Sequence, residues 1–297
     1  MAQPRELRRR IKSVDNTRQI TKTMEMVATS KLKRAQDRVV ASRPYAKALA
    51  DVIAGLYDPS LAERFPLLRR SHGELHKVAL VGLTSNRGLC GGFNANLIKM
   101  VRKRVAELEG NGTEVELHLI GRKGIGYFKY VGRDIAAKYD EFTDRPSMED
   151  AISVIAPLVA RFEVGEVDAV ELIFAKFVTA ISTPPTTLRV LPVELSDAPA
   201  TEDDGADTRR YQPNYLLRPS ALDIVDAVLP LYVRNQMYRA MVETAAAEQG
   251  ARRTAMKNAT DNAGEMLDTL RRTYNRARQA QITQELAEIV GGAEALD

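Results

Sequence analysis

Two stretches decide the fold: IKSVDNTRQITKTMEMVATSKLKRAQ, residues 11–36, and MKNATDNAGEMLDTLRRTYNRARQAQITQELAEIVGGAEAL, residues 256–296. The first lies inside a longer proline-free run, 5–43, and the second overlaps another, 231–290, each with a largely helical pattern. At ~1.5 Å rise per residue these runs would span roughly 60 Å and 90 Å, against about 40 Å for a compact domain of this size. They are therefore expected to project beyond the body and to bury their apolar stripes against each other as a terminal-to-terminal coiled coil. In the first run Leu7, Ile11, Val14, then Ile20, Met24, Val27, then Leu32, Ala35, Val39 step by three and four with slips between the groups. Pro44 predicts a kink or short break before the pattern resumes through Tyr45, Leu49, Val52, Ile53 and Leu56. In the last run the expected contacts are Met237, Met241, Ala245, Ala255, Ala259, Ala263, Met266, Leu270, Tyr274 and Ala277, an alanine-rich seam that favours close approach over buried area. Gly250 and Gly264 each cost such a helix roughly 1 kcal/mol and read as points of compliance.

Composition narrows the classes of function. The 297 residues are 44% hydrophobic and 28% charged, enough for one or two cores. Cys90 is the single cysteine, which excludes an internal disulfide and a cysteine-built zinc site and fits a reducing compartment. The longest apolar runs, such as 78–83, fall far short of the ~20 residues of a membrane span, so membrane association is expected to be indirect. Net charge is only +4, yet residues 5–47 hold 13 Lys/Arg against 4 Asp/Glu while residues 194–207 hold 6 acids and no base. A basic first helix wants an acidic partner, or else is a solvated face.

Between the terminal runs, residues 77–83 (KVALVGL), 114–121 (EVELHLIG), 169–178 (AVELIFAKFV) and 186–194 (TTLRVLPVE) read as strands. Residues 97–108, 123–131 and 148–162 read as helices, and the alternation predicts a small Rossmann-like α/β domain with a mostly parallel sheet. The acidic, proline- and glycine-containing segment 196–209 reads as a mobile loop. The expected organisation is an N-terminal coiled-coil helix over 1–58, an α/β domain over 74–196, an acidic loop over 197–214 and a C-terminal coiled-coil helix over 215–297, an α+β fold in all.

No catalytic constellation is found. The turn TSNRGLCGGFNANL, residues 84–97, has the glycine content of a phosphate cradle, but Gly88, Gly91 and Gly92 match neither common nucleotide fingerprint. A structural turn is the preferred reading there and at 121–126. His72, His76 and His118 carry no metal-ligand spacing, and Cys90 has no sequence-proximal base. Neither a catalytic residue, a cofactor nor a metal is expected.

The chain resembles the gamma subunit of the F-type ATP synthase, of the bacterial type. The resemblance rests on residues 11–36, 84–97 and 256–296, and most specifically on Ile282, Thr283, Glu285, Glu288, Gly292 and Ala293, the family's I-T-x-E-x-x-E-x-x-x-G-A pattern. It implies a non-catalytic rotor shaft: an antiparallel coiled coil inside a ring of alpha and beta subunits, with the α/β body resting on the c ring beside the epsilon subunit. It places the protein on the cytoplasmic face of the bacterial inner membrane, in contact with the membrane only through the c ring. It implies that Met24 and Arg252 lie near the levers of the beta subunits, that Gln279, Thr283, Glu285 and Glu288 meet the alpha/beta ring, and that residues 290–293 form the tip. Tyr215 and Arg218 are expected at the c ring or epsilon, although Arg218 stands where the family commonly has an acid, and the paired cysteines of chloroplast members are missing. A basic coiled-coil nucleic-acid-binding protein is the alternative, weakened by an N-terminal arm without Phe or Trp for stacking. A free-standing nucleotide-dependent enzyme is a second.

Overall fold

The computed structural model describes residues 4–56, 64–69, 75–193 and 221–294. The chain forms two compact units, one of Met1–Ser30 with Arg252–Asp297 and one of Lys31–Ala251. Helix α1, Pro4–Leu56, runs unbroken through Pro44, so the expected break is absent. The other long helix, α5, spans Ala221–Glu294 and contains Pro230. A proline inside a helix removes one backbone hydrogen bond, and neighbouring turns with buried faces carry the helix past it. Such turns flank Pro44: Val39, Ala46, Leu49 and Ile53 are all buried.

The Lys31–Ala251 unit holds a five-stranded sheet of order β3-β2-β1-β4-β5. Its strands are β1 (Lys77–Leu83), β2 (Glu114–Ile120), β3 (Ala137–Tyr139), β4 (Ala169–Ala175) and β5 (Pro185–Leu191). β1 lies parallel to β2 and β4, β2 parallel to β3, and β5 antiparallel to β4. The helices between strands are α2 (Phe93–Gly110), α3 (Arg122–Tyr130) and α4 (Met148–Glu163). Among these elements only β3 was not expected; three residues are too few to carry an alternation.

β1 and β4 read as continuous apolar runs because both of their faces are covered. On one face Ala79, Val81, Val170 and Leu172 pack with Val154, Ile155, Leu158 and Phe162 of α4 and with Val225, Leu229 and Met237 of α5. On the other face Leu80, Leu117 and Ile173 pack with Leu97 and Val101 of α2, Phe128 of α3 and Ala247 of α5. α4 begins with a capping box: the Ser147 hydroxyl accepts from Asp150 N at 3.1 Å and the Asp150 carboxylate accepts from Ser147 N at 2.9 Å. Lys31 of α1 pairs with Asp144 before α4 at 2.5 Å.

Two carboxylates on the sheet are held by arginines. Glu171 of β4, 2% exposed at its side chain, accepts from Arg104 Nε at 2.7 Å and from Arg189 Nη2 at 3.1 Å. Burial works to raise its pKa, and the bonds from Arg104 and Arg189 outweigh burial and hold the group below the ordinary carboxylate range. Glu116 of β2 takes Arg161 Nη1 at 2.7 Å and Lys77 Nζ at 2.8 Å. Chiefly because of Arg161, it is pushed down from 4.5 to about 2. His118, 5% exposed, has neither ring nitrogen hydrogen-bonded, and burial pushes its pKa down against the pull of Glu116, 3.8 Å from its Nε2.

Glu171→Gln removes the buried carboxylate that both Arg104 and Arg189 bond and is expected to cost about 3 kcal/mol in urea unfolding. Glu116 contributes stability that is complete above its unfolded pKa near 4.5 and is lost as pH falls towards about 2. Glu116→Gln should therefore melt below the wild-type chain at pH 7, and the gap should close as melting is followed down towards pH 2.

Candidate functional site

In a doubly wound sheet, ligands bind beyond the carboxyl ends of the strands, where the strand order reverses. Here that point lies between β1 and β4, and the polar groups around it are turned on one another. The first-turn amides of α3 are occupied: Arg122 N donates to Asn86 Oδ1 at 2.9 Å, Lys123 N to Ser85 O at 3.1 Å and Gly124 N to Thr84 Oγ1 at 2.9 Å. Gly121 sits at φ +95°, and a Cβ on it would stand 2.3 Å from Thr84 O. Asn94 accepts from Ser85 N at 3.0 Å and donates to Ser85 Oγ at 2.8 Å. The glycines thus bring two backbone segments into contact and leave no amide-lined cradle at α3, in keeping with a structural turn.

α5 occupies the other side of that crevice. Glu243 accepts from Phe177 N, just beyond β4, at 3.1 Å. Phe177 packs with Val242 and Ala246 of α5 and with Leu32, Ala35 and Val39 of α1. α5 thus packs beyond the carboxyl end of β4, on the side of the sheet end where ligands bind in other doubly wound sheets.

The second unit contains the terminal parts of α1 and α5. Its seam differs from the one the sequence predicts. Leu7, Thr21 and Ala28 are buried and Val14 half-buried, a strict seven-residue spacing that continues to Ala35. Ile20 and Val27, expected on the seam, are 60% and 51% exposed. On α5 the buried positions are Arg252, Met256, Thr260, Ala263 and Leu267, while Met266, expected on the seam, is 55% exposed. Leu7, Ile11, Val14, Met24, Ala255, Ala259 and Ala263 are buried or half-buried as expected, whereas choosing the most apolar residue at Ile20, Val27 and Met266 missed by one position the buried Thr21, Ala28 and Leu267. Thr260 Oγ1 lies 2.8 Å from Thr21 Oγ1 and 2.9 Å from Met256 O, and Thr21 Oγ1 lies 3.0 Å from Arg18 O. Two hydroxyl protons serve three contacts, which satisfies both hydroxyls at the centre of the seam. The heptad count from Leu7 was the signal that finds Thr21 and Ala28.

Among the residues singled out from sequence, Met24 is half-buried beside this seam and Arg252 is buried on α5. Every residue from 278 to 289 is exposed, including Gln279, Thr283, Glu285 and Glu288. Thr283 Oγ1 donates to Gln279 O at 3.0 Å, which joins those two across one helical turn. Gln281 reaches Glu285 at 2.9 Å and Gln284 reaches Glu288 at 2.9 Å. Beside these polar groups Ile282, Leu286 and Ile289 stand 48%, 58% and 68% exposed. Tyr215, Arg218 and the acidic segment 197–214 lie outside the described residues, as do the side chains of 290–293. Among the described residues no group of three or more His, Cys, Asp and Glu is placed to hold a metal, and no helix is long and apolar enough to cross a membrane.

A family model described as ATP synthase matches residues 3–296. The chain is 59% identical over its whole length to the ATP synthase gamma chain of Gemmatimonas aurantiaca, of which it covers 99%. It is 40% identical to that of Leptospira biflexa, with full coverage of both chains. Among solved structures it is similar to a chain of the central stalk and c ring of the Tetrahymena thermophila mitochondrial ATP synthase, at 26% identity and TM-score 0.61 over 81% of this chain and 99% of that one. A chain of the Euglena gracilis mitochondrial ATP synthase shares the fold over 99% of this chain and 94% of that one, at 21% identity and TM-score 0.66.

The corrected seam separates two neighbouring residues. Leu267→Ala is expected to cost about 2–4 kcal/mol in urea unfolding, whereas Met266→Ala should stay within about 0.5 kcal/mol of wild type.

Proposed function

Because the chain belongs to the ATP synthase gamma chain family, we propose that it is the central rotor shaft of an F-type enzyme, linking ion-driven rotation of a c ring to ATP synthesis and hydrolysis in an alpha/beta ring. The observation that carries this reading is the uncovered end of α5. A helix exposed at every position from 278 to 289, with Ile282, Leu286 and Ile289 among them, buries too little to hold itself and fits an apolar sleeve supplied by partners. Gln279, Thr283, Glu285 and Glu288 are then the polar contacts to the ring. Met24 and Arg252 lie nearer the beta levers, and Tyr215 and Arg218 meet the c ring or epsilon. The coil helices at 1–58 and 215–297, the body at 74–196 and the acidic loop at 197–214 are the working parts.

On this reading the protein does mechanical work and catalyses nothing itself. A shaft without threefold symmetry touches each of three catalytic subunits differently, so each angle biases each site towards a different affinity. Binding coupling is reciprocal, so nucleotide exchange biases the angle in return, and one device runs in both directions. A sheet end against which α5 packs suits a body that transmits force and takes up no small ligand. The protein would sit peripherally on the cytoplasmic face of a bacterial inner membrane, held there by the c ring. The relatives lend no support to the nucleic-acid alternative.

Reconstitution with alpha and beta subunits, followed by single-molecule observation of a label on the body, tests the proposal. ATP-driven rotation is expected, with its loss on deletion of 280–297; failure of the full chain to co-assemble would overturn it. Glu285→Ala should weaken torque while the melting temperature of the chain stays within about 2 °C of wild type.

A further inference from the structure

Glu243 is a buried charge that the coil and the ring contacts leave unused. Its side chain is 2% exposed, and its carboxylate takes Arg239 Nε at 2.7 Å and Phe177 N at 3.1 Å. Burying a carboxylate costs several kcal/mol that an apolar residue would avoid, so the position demands something that apolar packing does not supply. Two helical turns further along the same face of α5 stands Gly250, where an added Cβ would lie 2.9 Å from Ala180 O. Val242, next to Glu243, and Ala246, between the two positions, pack with Phe177. The turn joining β4 to β5 is thereby held near its start, at Phe177, by a charged acceptor and at its middle, at Ala180, by bare backbone. The turn is itself stiff: Ser182 N donates to Thr179 Oγ1 at 2.9 Å, Lys176 N to Pro184 O at 3.0 Å and Val178 N to Ser182 O at 3.3 Å.

We propose that Glu243 and Gly250 form a torsional pin that fixes the β4–β5 turn, and through β4 the whole sheet, to α5, so that sheet and helix rotate together under load. This rests on the rotor reading and names how the body is joined to the helix that continues into the coil. Apolar burial is non-directional and does not by itself single out one register of a helix against its neighbour. A carboxylate bonded to one particular backbone amide is directional, and a side chain absent at Gly250 seats the turn in a notch. Together they oppose both roll and slip. Glu243 is a positioning residue, remote from any nucleotide.

The test uses the complete membrane-bound complex carrying this chain and measures ATP hydrolysis and ATP-driven ion pumping side by side. Glu243→Ala is expected to reduce pumping per ATP hydrolysed about twofold or more, while Glu243→Gln, which still accepts from Phe177 N, stays near wild type. A wild-type ratio in Glu243→Ala, or an equal loss in Glu243→Gln, would overturn the proposal. Gly250→Ala is the second variant: alanine favours the helix by roughly 1 kcal/mol, so a reduced ratio there comes from the displaced turn and supports the pin, and an unchanged ratio counts against it. Failure of both alanine variants to assemble would also overturn the proposal, since the contact would then serve folding and not coupling. If the wild-type chain supports no pumping at all, it is the rotor reading that fails.

Discussion

A long helix persists only where a stripe of it is covered, and the structure depends on how α1 and α5 meet that constraint. Propensity alone leaves such helices marginal, so each turn needs a partner surface. Over Leu7 to Ala35 the cover comes at seven-residue intervals from small or medium side chains, with Thr21 and Thr260 sharing hydroxyls in the middle. Small contacts bury little area and permit close backbone approach, which favours a thin, well-registered pair over a thick, deeply buried one. A polar pair on such a seam adds register, because sliding the helices by one turn would break the Thr21–Thr260 bond and leave each hydroxyl only the carbonyl of its own helix.

Within the Lys31–Ala251 unit the same helix α5 meets the constraint differently. Its residues 225–247 pack into the core on both sides of the sheet and beyond the carboxyl end of β4. The α/β body therefore resembles a nucleotide-binding domain in topology and differs from one in chemistry. The first-turn amides of α3 already bond to Asn86, Ser85 and Thr84, and Gly121 and Gly124 let Thr84 close against them. Fold and function separate here for a local reason: what the glycines admit is the chain's own backbone.

The architecture was legible because it is written in long periods. Four of five strands, the three crossover helices and both terminal helices follow from apolar runs and their spacing, and β3 escaped because three residues carry no period. The seam was legible at most of its positions and missed at three. Ile20, Val27 and Met266 are the most apolar residues of their turns, yet they face outward, and Thr21, Ala28 and Leu267 face in. Hydrophobicity ranks residues one at a time, whereas a seam is set by which spacing lets two backbones approach. Glu243 was illegible for a related reason: a glutamate four residues after an arginine reads as a surface pair until tertiary packing buries it.

The two glycines of α5 make the same point. In sequence Gly250 and Gly264 are equivalent, each a soft place in a helix. In the structure Gly264 has open space where its side chain would be, and Gly250 has the Ala180 carbonyl. Gly264 is left to loosen the helix within the coil. Gly250 does the reverse, since the missing side chain admits a rigid turn that braces the helix where it meets the sheet. A shaft that must twist along its length yet grip its body needs compliance and grip in different places. The contacts place the grip at Glu243 and Gly250, and the open space lies at Gly264, fourteen residues beyond Gly250.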